Sequence, residues 1–200
     1  MIRIVEQKTK IDILKMLKDT GAIMEGHFRL TSGFHSRYYL QCAKLLQYPD
    51  LTYKIVSELP DIIDEHILQE TETVISPAIG GILFGYMLAF KLEKKMIFAE
   101  RKTEKMEIRR GFEIKKGEKF IVAEDVITTG GSVGEIIDLC RANEAEVNAV
   151  VSMVDRSSDA GFDVPYYYLV KFDIDKYSPE NCPLCKEGIK VNYPGSKKNI

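Results

Sequence analysis

The chain alternates between short apolar runs and longer stretches in which apolar residues recur at helical spacing. Thr73 to Ser76, Met96 to Ala99, Phe120 to Ala123, Val147 to Val154 and Pro165 to Phe172 are runs with β-branched or aromatic content, which suits strands covered on both faces. Between Leu51 and Gln69, Ile55, Leu59, Ile62, Ile63 and Ile67 mark the apolar face of a helix. Asp50 is its N-cap candidate, and Pro60 should kink or split it. Leu83, Met87, Leu88 and Leu92 mark a second helix; Ile136, Ile137, Leu139 and Cys140 mark a third, over about Val133 to Ala142. Five strands alternating largely with helices predict a three-layer α/β fold around a mostly parallel sheet.

The two ends read differently. Residues 10–20 carry Ile11, Leu14 and Leu17 on one helical face, and Gly21 is placed to stop that helix. Phe28 and Leu30 alternate with polar neighbours, Ser32-Gly33 reads as a turn, and Tyr38-Tyr39-Leu40 reads as a second short strand. This is a small β-containing flap outside the alternation. From Asp175 the tail is rich in Pro, Lys and Gly and is predicted to be irregular.

Two hundred residues fit one domain. A net charge of −2 argues against a general nucleic-acid binder, and no apolar run reaches the ~20 residues of a membrane span. The charged start, MIRIVEQKTK, lacks a signal-peptide core, so a cytoplasmic protein is expected. Cys42 and Cys140 read as inert, partly buried thiols. Cys182 and Cys185 form a single CxxC. With His27, His35 and His66 all remote in sequence, a closed zinc site in that segment is unsupported. An intersubunit site or redox pair stays open, and a turn with incidental cysteines is the expectation.

The densest chemistry lies in KFIVAEDVITTGGS, Lys119 to Ser132: an apolar strand, the acid pair Glu124-Asp125 at its end, then Thr128, Thr129, Gly130, Gly131 and Ser132 before a helix. The glycines free backbone N–H groups to turn inward, the hydroxyls add donors, and the helix N-terminus adds partial positive charge. That is a seat for a phosphate. The acid pair suits ribose hydroxyls or a metal-bound polyphosphate, so the combination points to a phosphorylated sugar. It is neither a Walker loop nor a GxGxxG fingerprint. Pro77-Ala78-Ile79-Gly80-Gly81 is a second strand-to-helix loop with paired glycines. Arg101 to Lys119 is a long charged connection that could also be a solvated hairpin, Met106-Glu107-Ile108 pairing with Phe112-Glu113-Ile114. Asp155-Arg156 ends the strand that starts at Val147. Arg156 there can fork onto a carboxylate or an imide edge, or simply pair with Asp155 or Asp159.

The order EDVITTGGS after an apolar strand resembles the phosphoribosyl-pyrophosphate motif of type I phosphoribosyltransferases. Phe28-x-Leu30-x-Ser32-Gly33-x-x-Ser36-x-Tyr38 resembles the hood of their orotate-specific members, and MVDRSSDAG their orotate-contacting segment. The resemblance implies a hood from about residues 20–47 and a core from about 50–172, with the tail 175–200 beyond it. It further implies transfer of phosphoribose from 5-phosphoribosyl 1-pyrophosphate (PRPP) to orotate, giving orotidine 5′-monophosphate and pyrophosphate, and a homodimer using Mg²⁺ held through substrate oxygens rather than directly by protein.

By that resemblance Glu124, Asp125, Val126, Ile127, Thr128, Thr129, Gly130, Gly131 and Ser132 bind PRPP, with Asp125 favouring the cationic transition state. The Pro77–Gly81 loop takes pyrophosphate, and Arg101, Lys102 and Lys105 neutralise it from a mobile loop. Thr128 and Arg156 contact orotate. Two positions depart from the pattern: Thr31 stands where many members carry a substrate-contacting lysine, and Glu107 where a histidine is common, with Arg109 or Arg110 as replacements for the latter. A purine-base enzyme and a non-catalytic nucleotide sensor on the same fold are the alternatives.

Overall fold

The computed structural model describes residues 11–194; the charged segment 1–10 and residues 195–200 of the tail lie outside that range. Helix α1 (Ile13–Asp19) starts where the Asp12 carboxylate accepts the Lys15 N–H at 2.8 Å. It stops at Gly21, whose φ of 69° suits glycine. The hood is a two-stranded antiparallel sheet, β1 (Ile23–Arg29) and β2 (His35–Leu40). Its hairpin turn places Gly33 at φ 86°.

Next come α2 (Ala43–Leu46), α3 (Pro49–Val56) and α4 (Glu65–Glu70). The helical segment expected over Leu51–Gln69 is split, as Pro60 predicts, into α3, a 3₁₀ turn Leu59–Asp61 and α4. Pro60 falls within that 3₁₀ turn, as a residue without an N–H to donate would require. The N-cap is Tyr48 rather than Asp50, because Pro49 takes the first helical position and moves Asp50 into the first turn.

The core then runs β3 (Thr73–Pro77), α5 (Gly80–Leu92), β4 (Lys95–Lys102), β5 (Lys105–Ile108), β6 (Lys119–Ile127), α6 (Gly131–Ala142), β7 (Glu146–Asp155) and β8 (Tyr166–Lys171). The sheet order is β5-β4-β3-β6-β7-β8, parallel except for β4 with β5. The sheet therefore has six strands where five were expected. The sixth, β5, comes from the charged connection. Thr103 adopts φ 58°, the chain reverses, and Met106 pairs with Arg101 of β4, its side chain buried. The hairpin expected between 106–108 and 112–114 does not form. Arg110 and Gly111 both take positive φ and turn the chain away, and Phe112 packs edge-on against Phe98 with ring centroids 5.1 Å apart.

Strand β6 explains its own unbroken apolar run. Ile121 and Ala123 join the core on one face of the sheet with α3 and α5, while Phe120 and Val122 join the core on the other face with α6. Gly85 lets α5 lie hard against β3, since a Cβ there would stand 2.0 Å from Ser76 Oγ. No helix among the described residues is long and apolar enough to cross a membrane.

The tail corrects the expectation of irregularity. It holds a 3₁₀ turn (Pro179–Asn181) and α7 (Pro183–Lys186), and it closes both open edges of the hood. His35 and Tyr177 exchange backbone hydrogen bonds at 2.8 and 2.9 Å. On the other edge, Asn192 N–H donates to His27 O at 2.7 Å and Arg29 N–H to Asn192 O at 3.0 Å. An isolated two-stranded ribbon is marginal and leaves its outer backbone groups unpaired, so the tail supplies what the hood lacks.

Candidate active site

The site lies where β3, β6 and β7 end. Strand β6 does not stop at the acid pair, as the sequence had implied: Val126 and Ile127 still pair with Val154 and Asp155, so Glu124 and Asp125 sit within the strand. Thr128 and Thr129 then emerge exposed, Gly130 takes φ 77°, and α6 begins at Gly131. A Cβ on Gly130 would meet the Phe162 ring at 3.0 Å and Ala160 O at 3.1 Å, so only glycine fits both the backbone and the space. Glu124 and every residue from Val126 to Val133 line an open hollow of about 270 Å³. The unpaired N–H groups of the first turn of α6 give it the character of an anion seat.

The acid pair abuts the second glycine loop. A Cβ on Gly80 would lie 3.2 Å from Asp125 Oδ1, and one on Gly81 would lie 2.9 Å from Glu124 Oε1. The start of α5 therefore approaches both carboxyls, with the Ala78–Ile79 peptide just before it in the cis form. Burial pushes both carboxyls above the ordinary carboxylate range, and on Glu124 the neighbouring Asp125 charge adds to the effect. Among the described residues no lysine or arginine forms an ion pair with either.

Arg156 is anchored through its backbone, its N–H donating to Ile127 O at 2.8 Å, and its side-chain Nε is buried without a partner. Burial lowers its pKa from the usual guanidinium value, with Cys42 and Tyr39 acting in the opposite direction. The pairing with Asp155 or Asp159 does not occur. Asp155 is taken by Lys171 Nζ at 2.5 Å and by Ser157 N and Oγ, and Asp159 accepts from the Gly161 N–H. Cys42, expected to be an inert thiol, is fully buried, and burial together with the nearby Asp125 charge pushes its thiol well above the ordinary range. Cys42 and Tyr39 bring the hood into the site. No motif marks either residue, and only the folding of residues 39–42 over the sheet edge exposes their role.

The cations divide. Arg101 reaches α6, bonding Glu135 Oε1 at 2.7 Å and Glu104 O at 2.6 Å. Lys102 and Lys105 face each other across the β4–β5 turn, exposed, with Lys102 Nζ 4.0 Å from Glu107. Among the described residues neither contacts the acid pair or the hollow. Arg110 makes a two-point bond to Glu100, at 2.9 and 2.8 Å.

Two glycine-bearing strand-to-helix loops meeting an acid pair at one edge of a parallel sheet are the arrangement expected of a phosphoribosyltransferase fold. The model of the phosphoribosyl transferase domain matches residues 47–184, and the chain belongs to that family. It is 49% identical over 188 residues to an orotate phosphoribosyltransferase of Caldicellulosiruptor bescii, covering 92% of this chain and 96% of that protein. It is 46% identical over 186 residues to one of Thermotoga maritima, covering 92% and 98%. The crystal structure of orotate phosphoribosyltransferase from Aeropyrum pernix superposes with a TM-score of 0.69 at 26% identity, covering 80% of this chain and 94% of that one.

Proposed function

We propose that this chain transfers the phosphoribosyl group of PRPP to orotate, yielding orotidine 5′-monophosphate and pyrophosphate for pyrimidine synthesis. Identity of 49% across 92% of the chain to a protein named for that activity carries the assignment. The site suits it. In the reaction the bond from the anomeric carbon to the pyrophosphate oxygen breaks and a bond to the ring nitrogen of orotate forms, with positive charge building on the ribose between the two events. Positioning and charge stabilisation supply the catalysis.

In this mechanism the 128–132 loop and the start of α6 hold the 5′-phosphate, with Val126 and Ile127 as its wall. Glu124 and Asp125 orient the ribose hydroxyls. Burial raises both carboxyls, so positive charge arriving beside them, as the transition state develops it, favours their ionised form. The Pro77–Gly81 loop takes the pyrophosphate through main-chain donors. Arg156 forks onto the orotate carboxylate, and Thr128 closes that side. Two carboxyls with no basic partner would suit a hard, oxygen-seeking cation nearby, so Mg²⁺ would sit beside Glu124 and Asp125, held chiefly by substrate oxygens rather than by the protein. When bound, it supplies charge that offsets the diphosphate.

Lys102, Lys105 and Arg101 neutralise the leaving group, the first two from an exposed hairpin that, among the described residues, does not reach the site of its own chain and would serve a second subunit. A homodimer agrees with α5, whose Leu83, Tyr86 and Phe90 are 52%, 64% and 65% exposed along one stripe. Four free cysteines suit a reducing cytoplasm.

A base panel assayed with PRPP and Mg²⁺ tests the assignment. Orotate turnover is expected; turnover of hypoxanthine or guanine but not orotate overturns it, and tight nucleotide binding with no turnover of any base replaces it with a sensor.

A further inference from the structure

We infer that His27, His35, Cys182 and Cys185 form a closed zinc site that pins the C-terminal tail to the hood. The four residues are far apart in sequence, but their ligand atoms all lie within 4.8 Å of one another. His27 Nε2 is 2.9 Å from His35 Nδ1, 3.5 Å from Cys182 Sγ and 3.7 Å from Cys185 Sγ; Cys185 Sγ is 3.3 Å from His35 Nδ1. A tetrahedron with the usual Zn–N and Zn–S bonds has edges of about 3.3 Å between nitrogens, 3.6 Å between nitrogen and sulfur and 3.8 Å between sulfurs. These four spacings lie within about 0.4 Å of the corresponding edges, and the whole set spans no more than 4.8 Å, so small side-chain adjustments bring all four atoms onto one ion.

The protonation of His27 is set by its other nitrogen. Nδ1 lies 2.6 Å from Ile189 O, and a carbonyl only accepts, so Nδ1 carries the proton and Nε2 presents its lone pair to the cluster. Metal-bound histidines are commonly oriented in this way, by a carbonyl behind the ring. His27 and Cys182 are fully buried and His35 nearly so, with Cys185 on the solvent side of the set. Two thiolates neutralise a divalent cation, which makes the assembly suited to burial, whereas two thiols and two imidazoles packed together satisfy few hydrogen bonds. Four protein ligands leave no open position, so the site is structural, and two sulfurs with two nitrogens select zinc over oxygen-seeking Mg²⁺.

The surrounding backbone supports the same connection. His27 O accepts from Asn192, and His35 exchanges hydrogen bonds with Tyr177, so the two histidines that would hold the ion are those at which the tail clips the hood. The ribbon that carries Tyr39 to the site is two-stranded. A metal cross-link behind it gives that ribbon the rigidity its own small sheet does not.

Tag-free protein, purified without chelator from zinc-supplemented medium, should hold one zinc ion per chain by elemental analysis. X-ray absorption at the zinc edge should show sulfur and nitrogen neighbours in equal number. Replacement by Co²⁺ should give an intense thiolate-to-metal charge-transfer band, absent from a C182S/C185S variant, and the zinc content of that variant should fall to background. Because the variant could fail to fold, wild-type protein stripped with a strong chelator provides a second measurement: its melting temperature should drop and be restored by Zn²⁺ but not by Mg²⁺. Zinc-free native protein that takes up none on addition overturns the site. So does zinc bound without sulfur neighbours, or a Cys182–Cys185 disulfide in the protein as isolated from a reducing cell.

Discussion

Arg156 offers a test in which catalysis and stability should move in opposite directions. Its guanidinium is largely removed from water, its Nε has no partner, and burial lowers its pKa. In the free protein the buried Nε therefore carries a desolvation cost that no hydrogen bond offsets, Cys42 and Tyr39 opposing it only in part. Arg156→Met keeps most of the aliphatic stem and removes the charge. A hydrogen bond to a charged group contributes about 1.5–3 kcal/mol, so loss of the fork onto the orotate carboxylate should lower kcat/KM for orotate roughly 10- to 150-fold. The KM for PRPP should change little. The melting temperature of the free variant should match or exceed that of the wild type, since the buried unpartnered group is gone. Arg156→Lys retains charge without the planar fork and should fall between the two. Steady-state kinetics with each substrate varied in turn, alongside thermal melts, decide the matter. An equal rise in both KM values, or a loss of several degrees with orotate kinetics intact, would make Arg156 a structural residue and refute the assignment.

Two further outcomes follow from the site. Gly130→Ala places a side chain at φ 77° against Phe162, at a cost of about 1–2 kcal/mol for the left-handed backbone alone, which is roughly 2–8 °C in melting temperature for a chain of this size, and it should raise the KM for PRPP. Gly131→Ala, whose nearest neighbour would be Thr129 Oγ1 at 3.8 Å, is the control, and matching losses in both would undo the argument. Glu124 and Asp125 are raised above their ordinary values in the folded chain, so their contribution to stability is complete at acid pH and is lost as the pH rises and the unfolded chain ionises first. Glu124→Gln should therefore melt with the wild type below about pH 4 and increasingly above it toward pH 8 while losing activity; a melting difference that is flat or shrinks with pH contradicts the raised pKa.

Elements whose signal is local were legible before the fold was known. The strand from Phe120 reads as doubly covered because every residue of the run is apolar, and α6 reads from its period. The phosphate seat reads from Thr128 to Ser132 because its chemistry is carried by consecutive residues whose backbone a glycine must turn. The same holds for Gly21 at the end of α1 and for Pro60 dividing the helix after Leu51. Pairings over distance were not legible. Met106 to Ile108 has the alternation of a strand, but its pattern fits either partner, and packing against β4 chose that strand over Phe112 to Ile114.

The sequence by itself determined the sheet's parallel core, the anion cradle and the acid pair beside it, since each depends on residues within a few positions of one another. Tertiary structure alone decided that Arg156 would be left without an ion pair, because Lys171 and Ser157 claim Asp155 from the next strand and loop. It alone brought Cys42 against Asp125, and it alone set Cys182 and Cys185 beside His27 and His35 across more than 140 residues. The physical reason is common to all three: a side chain's charge state and ligands depend on what occupies the few ångströms around it, and in a folded chain those neighbours come from whichever segments the sheet and its clipped edges bring together.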